Sequence, residues 1–61
     1  MEISQINLID GTVFKVGEYR FGGSLIRIYA VPGKSEVLIQ IEKREKPLHI
    51  PYHSILFYLE M

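Results

Sequence analysis

The only two imidazole side chains, His49 and His53, are the first candidates for chemistry, because histidine serves both as a metal ligand and as a general base. A spacing of four residues would place both on one face of a helix, but Pro51 lies between them and disfavours a helix there. On a strand the two rings lie too far apart to bind one ion. No third ligand follows nearby, whereas a catalytic zinc has three protein ligands. We therefore predict no metal site and place both histidines at an edge or an interface.

The remaining polar residues offer no catalytic group either. Ser54 is adjacent to His53, but adjacency in sequence does not place a nucleophile against its base. Gly33-Lys34-Ser35 resembles the end of a phosphate-binding loop, yet such a loop needs a glycine where this chain has Ile28, and a helix after it. We predict a protein that is not an enzyme and that binds no cofactor.

A third group of residues could bind nucleic acid through stacking and charge. Its members are Tyr19, Arg20, Phe21, Arg27 and Tyr29. Gly22-Gly23-Ser24 would suit a recognition loop among them, although such small residues are more typical of a plain hairpin turn. The formal net charge is zero, which lacks the basic excess that phosphate binding favours. Nucleic-acid binding is therefore an alternative and not the first prediction.

The elements that would position these residues are strands. The chain has 61 residues, of which 48% are hydrophobic, and contains a single alanine, Ala30. Most of the hydrophobic residues are isoleucine, leucine, valine and aromatic residues, which favour strands over helices. Glycine and proline interrupt them at regular intervals, as in small barrels and sandwiches. We predict one all-β domain over residues 1–61, a five- or six-stranded antiparallel barrel or roll of SH3-like or Sm-like architecture.

Turn residues and alternation predict the individual strands. Asp10-Gly11 indicates a type I′ hairpin that would pair Leu8 with Val13 and Asn7 with Phe14, unless a bulge shifts this register. Pro32-Gly33 suits a type II turn. The clearest strand alternates over 36–42. Its predicted core residues are Val37, Ile39 and Ile41.

Two other strands are assigned by alternation alone, and the segment between them is short. One face of the strand that begins at Leu25 would carry Ile26, Ile28 and Ala30. One face of the last strand would carry Ile55, Phe57 and Leu59. Pro51 makes its own segment either an edge strand or the last residue pair before a turn, and a single 3-10 turn could form over 51–54 before the last strand.

Bulky apolar residues outnumber what so small a core readily buries, and no cysteine is present to provide a disulfide. Several lie out of phase with the predicted core positions, which indicates either an interface or a closed barrel in which twist and bulges bring some of them inward. The candidate interface residues are Tyr29, Leu38, Leu56, Tyr58, His49 and His53. We expect a homodimer or higher oligomer, because copies with zero net charge do not repel one another.

The first functional prediction is a small regulatory or inhibitory protein that binds another, unidentified protein and also itself. A nucleic-acid-binding barrel is the alternative, and a small-ligand or nucleotide binder at a subunit interface is the second. No apolar run approaches the roughly 18 residues that span a bilayer, and no signal peptide is evident. A cytoplasmic location follows as the default, in a bacterium or phage, whose genomes encode many such short chains.

Overall fold

The computed structural model describes residues 1–61 and confirms the all-β prediction. Strands account for 59% of the chain, and one 3-10 turn before the last strand is its only helical element. The elements are β1 (Glu2–Leu8), β2 (Val13–Lys15), β3 (Tyr19–Arg20), β4 (Gly23–Ala30), β5 (Glu36–Ile41), β6 (Leu48–Pro51), the 3-10 turn (Tyr52–Ser54) and β7 (Ile55–Glu60). There are seven strands, not five or six, because Gly17, with φ of 94°, separates the short strands β2 and β3.

All pairings are antiparallel and the sheet curls into a half-barrel. β1 lies between β7 on one side and both β2 and β4 on the other, and the sheet continues through β5 to β6. β6 and β7 do not pair with each other, so both are edge strands. The core fills the concave side. Its buried residues are Ile3, Ile6, Phe14, Leu25, Ile28, Val37, Ile39 and Ile41.

The β1–β2 hairpin is not the predicted type I′ turn. Its register pairs Ile6 with Phe14, one residue away from the expectation, because three residues (9–11) form the loop. The Leu8 carbonyl accepts from the Gly11 N–H at 3.0 Å, and only Gly11, with φ of 93°, has the positive φ that was expected there. The shift places Ile6 and Phe14 together in the core. It thereby removes the conflict of two partly apolar faces that the shorter turn created.

A bulge at the start of β4 overturns the predicted face for Ile26 only, since Ile28 is buried and Ala30 packs against the core as predicted. Leu25 lies opposite Ile41, and the next paired residue, Arg27, lies opposite Gln40, so Ile26 is the extra residue. Leu25 is buried and Ile26 is exposed, which is the reverse of what uninterrupted alternation with Ile28 predicts. Bulges bend a strand and increase its twist, and this one lies where the sheet curls.

Other turn and strand predictions are confirmed. All three predicted core residues of β5 are buried. Gly33 has φ of 80°, and the Lys34 N–H donates to the Val31 carbonyl at 3.1 Å, as a type II turn at Pro32-Gly33 requires. Pro51 ends the edge strand β6, and the 3-10 turn follows at once.

A second bulge changes the phase of β7. Phe57 lies opposite Asn7, whereas Ile55 lies opposite Leu8, so Leu56 is the extra residue. Residues directly opposite one another share a face, so Tyr58, opposite Ile6, faces the core side. The prediction that Ile55, Phe57 and Leu59 share one face is therefore wrong.

Candidate interaction surface

The open side of the half-barrel holds an apolar groove of about 540 Å³, lined by residues of β1, β4, β5, the 3-10 turn and β7. Buried core residues form part of its wall, and half-exposed side chains form its rim. Nine residues line it, all hydrophobic: Met1, Ile3, Ala30, Val37, Tyr52, Ile55, Leu56, Phe57 and Tyr58. A concave surface with no charged lining residue favours contact with apolar groups.

β7 contributes most of this rim. Its first five residues form an unbroken apolar run (55–59), and none of them is buried. Ser4 fixes the far end of the strand, because its hydroxyl oxygen lies 3.1 Å from the Leu59 carbonyl and 3.3 Å from that of Glu60. β1 supplies the only ladder of β7, so the backbone groups that point away from β1 have no strand to bond.

The residues predicted as an interface fall on two separate surfaces. Leu56 and Tyr58 line the groove. Tyr29, Leu38 and His49 lie directly opposite one another across β4, β5 and β6, on the outer face of the sheet. His53 is exposed on the 3-10 turn.

Sequence reasoning named two of the nine groove residues, Leu56 and Tyr58, as interface residues and assigned none of the other seven to the groove. Phe57 was assigned to the core face by a strict alternation that the bulge at Leu56 interrupts. The signal that could have identified this surface is the run over 55–59, because a strand with one face in water alternates with polar residues.

Ion pairs occupy the outer face. The Arg27 Nε donates to both carboxylate oxygens of Glu2, at 2.8 and 2.9 Å, and the guanidinium carbon lies 3.9 Å from the centre of the Tyr29 ring. The hydrogen bond from Arg27 lowers the pKa of Glu2 below its ordinary value. His49 Nδ1 lies 3.0 Å from a carboxylate oxygen of Glu36. The charged side chains on this face are therefore paired within the chain.

The second arginine of the nucleic-acid group is also engaged within the chain. The Arg20 guanidinium carbon lies 4.7 Å from the ring centre of Phe14 and 5.8 Å from that of Phe21. Its Nη1 donates to the Val13 carbonyl at 2.8 Å and lies 3.8 Å from Glu18. Tyr19 and Phe21 remain exposed, but both arginines have partners of their own, which weighs against phosphate binding.

The Gly22-Gly23 pair has a structural reason. Gly22 has φ of 82°, in the region that favours glycine. Gly23 is buried, and a Cβ there would lie 2.5 Å from the backbone oxygen of Glu42. Close packing of the Gly23 and Glu42 backbones accounts for glycine at position 23.

No group of three His, Cys, Asp or Glu side chains is placed to hold a metal ion. None of the elements is a helix long and apolar enough to cross a membrane.

No protein-family model matches the chain, and neither a curated protein sequence nor a solved structure is similar to it. Its own geometry defines a small all-β half-barrel with an apolar open side.

Proposed function

We propose that this protein is a small, non-catalytic binding protein that regulates or inhibits another protein by contact through its apolar groove. One observation carries the proposal: the groove and its β7 rim form a continuous apolar surface with no charged lining residue. Soluble monomers rarely expose large contiguous apolar patches, and such patches mark interaction sites.

The aromatic residues at the rim support a protein partner. Tyr52, Phe57 and Tyr58 are each about half exposed around the groove. Aromatic residues are enriched where protein interfaces are fully covered, since a ring contributes a large area at a small cost in side-chain entropy. The two tyrosine hydroxyls add hydrogen-bonding groups at the margin of the contact.

The open sheet edge supports an extended segment as the bound element. An exposed edge strand pairs readily with a strand from another chain, which supplies backbone hydrogen bonds, and the groove supplies contacts for alternate side chains. We also propose that the half-barrel has an SH3-like or Sm-like architecture and that the protein is located in the cytoplasm.

Site-specific photocrosslinking tests the binding surface. A benzophenone side chain is introduced at Leu56 in the groove and, as the control, at Ile26, an exposed aliphatic residue of β4 outside it. We expect covalent adducts with a protein other than the chain itself from position 56 only, and their loss when Tyr58→Lys, at a second groove residue, is added to the same chain. Equal adducts from both positions, or none from position 56, would contradict the proposed function.

A further inference from the structure

The two free edges of the half-barrel differ in chemistry. β6 has four residues and carries His49 and Pro51, which are features that discourage strand pairing. β7 has six residues, and its run over 55–59 contains no charge, no proline and no glycine. Natural sheets usually protect an exposed edge with such residues. The unprotected edge of β7 indicates a strand that is paired in the working protein.

The apolar surface beside this edge has the size of a stable interface. Six side chains, around the groove and on both faces of β7, are each about half exposed or more: Met1, Tyr52, Leu56, Phe57, Tyr58 and Leu59. Large apolar and aromatic side chains carry roughly 150–250 Å² each, so together they expose on the order of 600 Å². Each partner in an interface of standard size buries roughly 600–1,000 Å².

The charge distribution favours a second copy as the occupant. An antiparallel pair of two identical β7 strands places the uncharged segment 55–59 against itself, so no charge is desolvated at its centre. The formal net charge of the chain is zero, so two copies do not repel one another. A two-fold axis brings the same surface of each copy together, and such symmetry is the commonest among oligomers.

We propose that β7 pairs antiparallel with β7 of a second copy across a two-fold axis, which joins two half-barrels into one continuous sheet. This assignment rests on the function proposed above, because it uses the same surface, so a second copy and another protein compete for it. The outward backbone groups of both β7 strands then gain hydrogen-bond partners. Tyr58, which shares the core-side face with Ile6, meets apolar side chains of the second copy.

Two matched lysine variants test this pairing. Leu56 and Ile9 are both aliphatic and both 66% exposed, but only Leu56 lies at the β7 surface. In sedimentation at micromolar concentration, we expect wild type and Ile9→Lys at about twice the chain mass of 7.1 kDa. We expect Leu56→Lys to sediment as a monomer with an unchanged far-ultraviolet circular dichroism spectrum.

A mixed sample identifies the pairing strands directly. Isotope-filtered NMR on a sample of labelled and unlabelled wild type detects only contacts between copies, and we expect α-proton contacts from β7 to β7. A wild-type monomer, a dimer of Leu56→Lys, or a dimer without β7 contacts would overturn the assignment. If wild type is a monomer but still forms groove-specific adducts with another protein, the proposed function stands and only the self-pairing is wrong. If wild type forms neither a dimer nor such adducts, both proposals are wrong.

Discussion

Tyr58 lies directly opposite Ile6 in the β1–β7 ladder, yet Ile6 is fully buried and Tyr58 is 45% exposed. The two side chains share the core-side face of the sheet. They differ because β1 has a neighbour on both sides, whereas β7 has a neighbour on one side only. The core therefore continues to the edge of the half-barrel and ends there in contact with water.

The centre of the core is tested at Ile39, which is fully buried in the cleanest strand. We expect Ile39→Ala to lower the free energy of unfolding by about 2–5 kcal/mol, because a large-to-small change loses transfer energy and leaves a cavity. Ile26→Ala is the control, since Ile26 is exposed, and it should change the urea midpoint little. Equal effects of both changes would contradict the strand phase described here.

The first hairpin is tested at Gly11, whose φ is 93° and beside which there is open space. Gly11→Val should lower the free energy of unfolding by about 1–2 kcal/mol or more, because a β-branched residue tolerates this backbone region poorly. Gly11→Asn should cost less, since asparagine adopts positive φ more readily. Thermal melts of the two variants measure the difference, and an unchanged melting temperature for Gly11→Val would show that the loop has another conformation.

The contact of β4 with the end of β5 is tested at Gly23. Gly23→Ala would place a methyl group 2.5 Å from the Glu42 backbone oxygen, so one of the two strands must move. We expect a loss of about 1–3 kcal/mol in the free energy of unfolding, as for other overpacked sites. Ser24→Ala, at the neighbouring position, is the control. If alanine at both positions gave the same denaturant midpoint, the close approach of the two backbones would be wrong.

The Glu2–Arg27 pair predicts a pH dependence of stability. The hydrogen bond from Arg27 lowers the pKa of Glu2 in the folded state, so the unfolded chain binds the proton more tightly. The contribution is therefore complete above the ordinary glutamate pKa of about 4.3 and is lost as pH falls through the lower folded value.

The Glu2→Gln variant isolates this contribution. We expect its melting temperature to be below that of wild type at pH 7 and the difference to shrink as pH falls from about 5 to 3. Glu45→Gln, in the loop between β5 and β6, is the control. Glu45 makes no ion pair, so the melting temperature of this variant should follow that of wild type as the pH changes. If the difference in melting temperature between Glu2→Gln and wild type grew as the pH fell, the pH dependence would have the opposite sign and would contradict the Glu2–Arg27 pairing.

The fold was predictable where alternation is uninterrupted. β5 alternates cleanly between two neighbours, and its three core residues were predicted correctly. The start of β4 and the phase of β7 were predicted wrongly because each strand contains a bulge, at Ile26 and Leu56, whereas Ile28 and Ala30 of β4 lie on the core side as predicted. Both extra residues are aliphatic and follow another aliphatic residue, Leu25 or Ile55, so no polar residue or glycine at the bulge itself marks the change of phase.

The candidate surface was predictable only in part. Leu56 and Tyr58 were identified as interface residues and line the groove. Tyr29 and Leu38 were grouped with them, because alternation indicates which side chains share a phase but not which strands become neighbours. That β6 and β7 remain unpaired follows from the curl of the whole sheet, which local sequence does not encode.

Hydrogen–deuterium exchange of wild type at several protein concentrations tests most directly whether β7 is a pairing edge. Amides of β7 that point away from β1 exchange freely in a monomer and become protected when a second strand bonds to them. We predict that protection over 55–60 rises with protein concentration, while protection of β5, which has a neighbour on both sides, stays constant. Amides of β7 that point away from β1 and exchange freely at every concentration, from nanomolar to near-millimolar protein, would contradict this account.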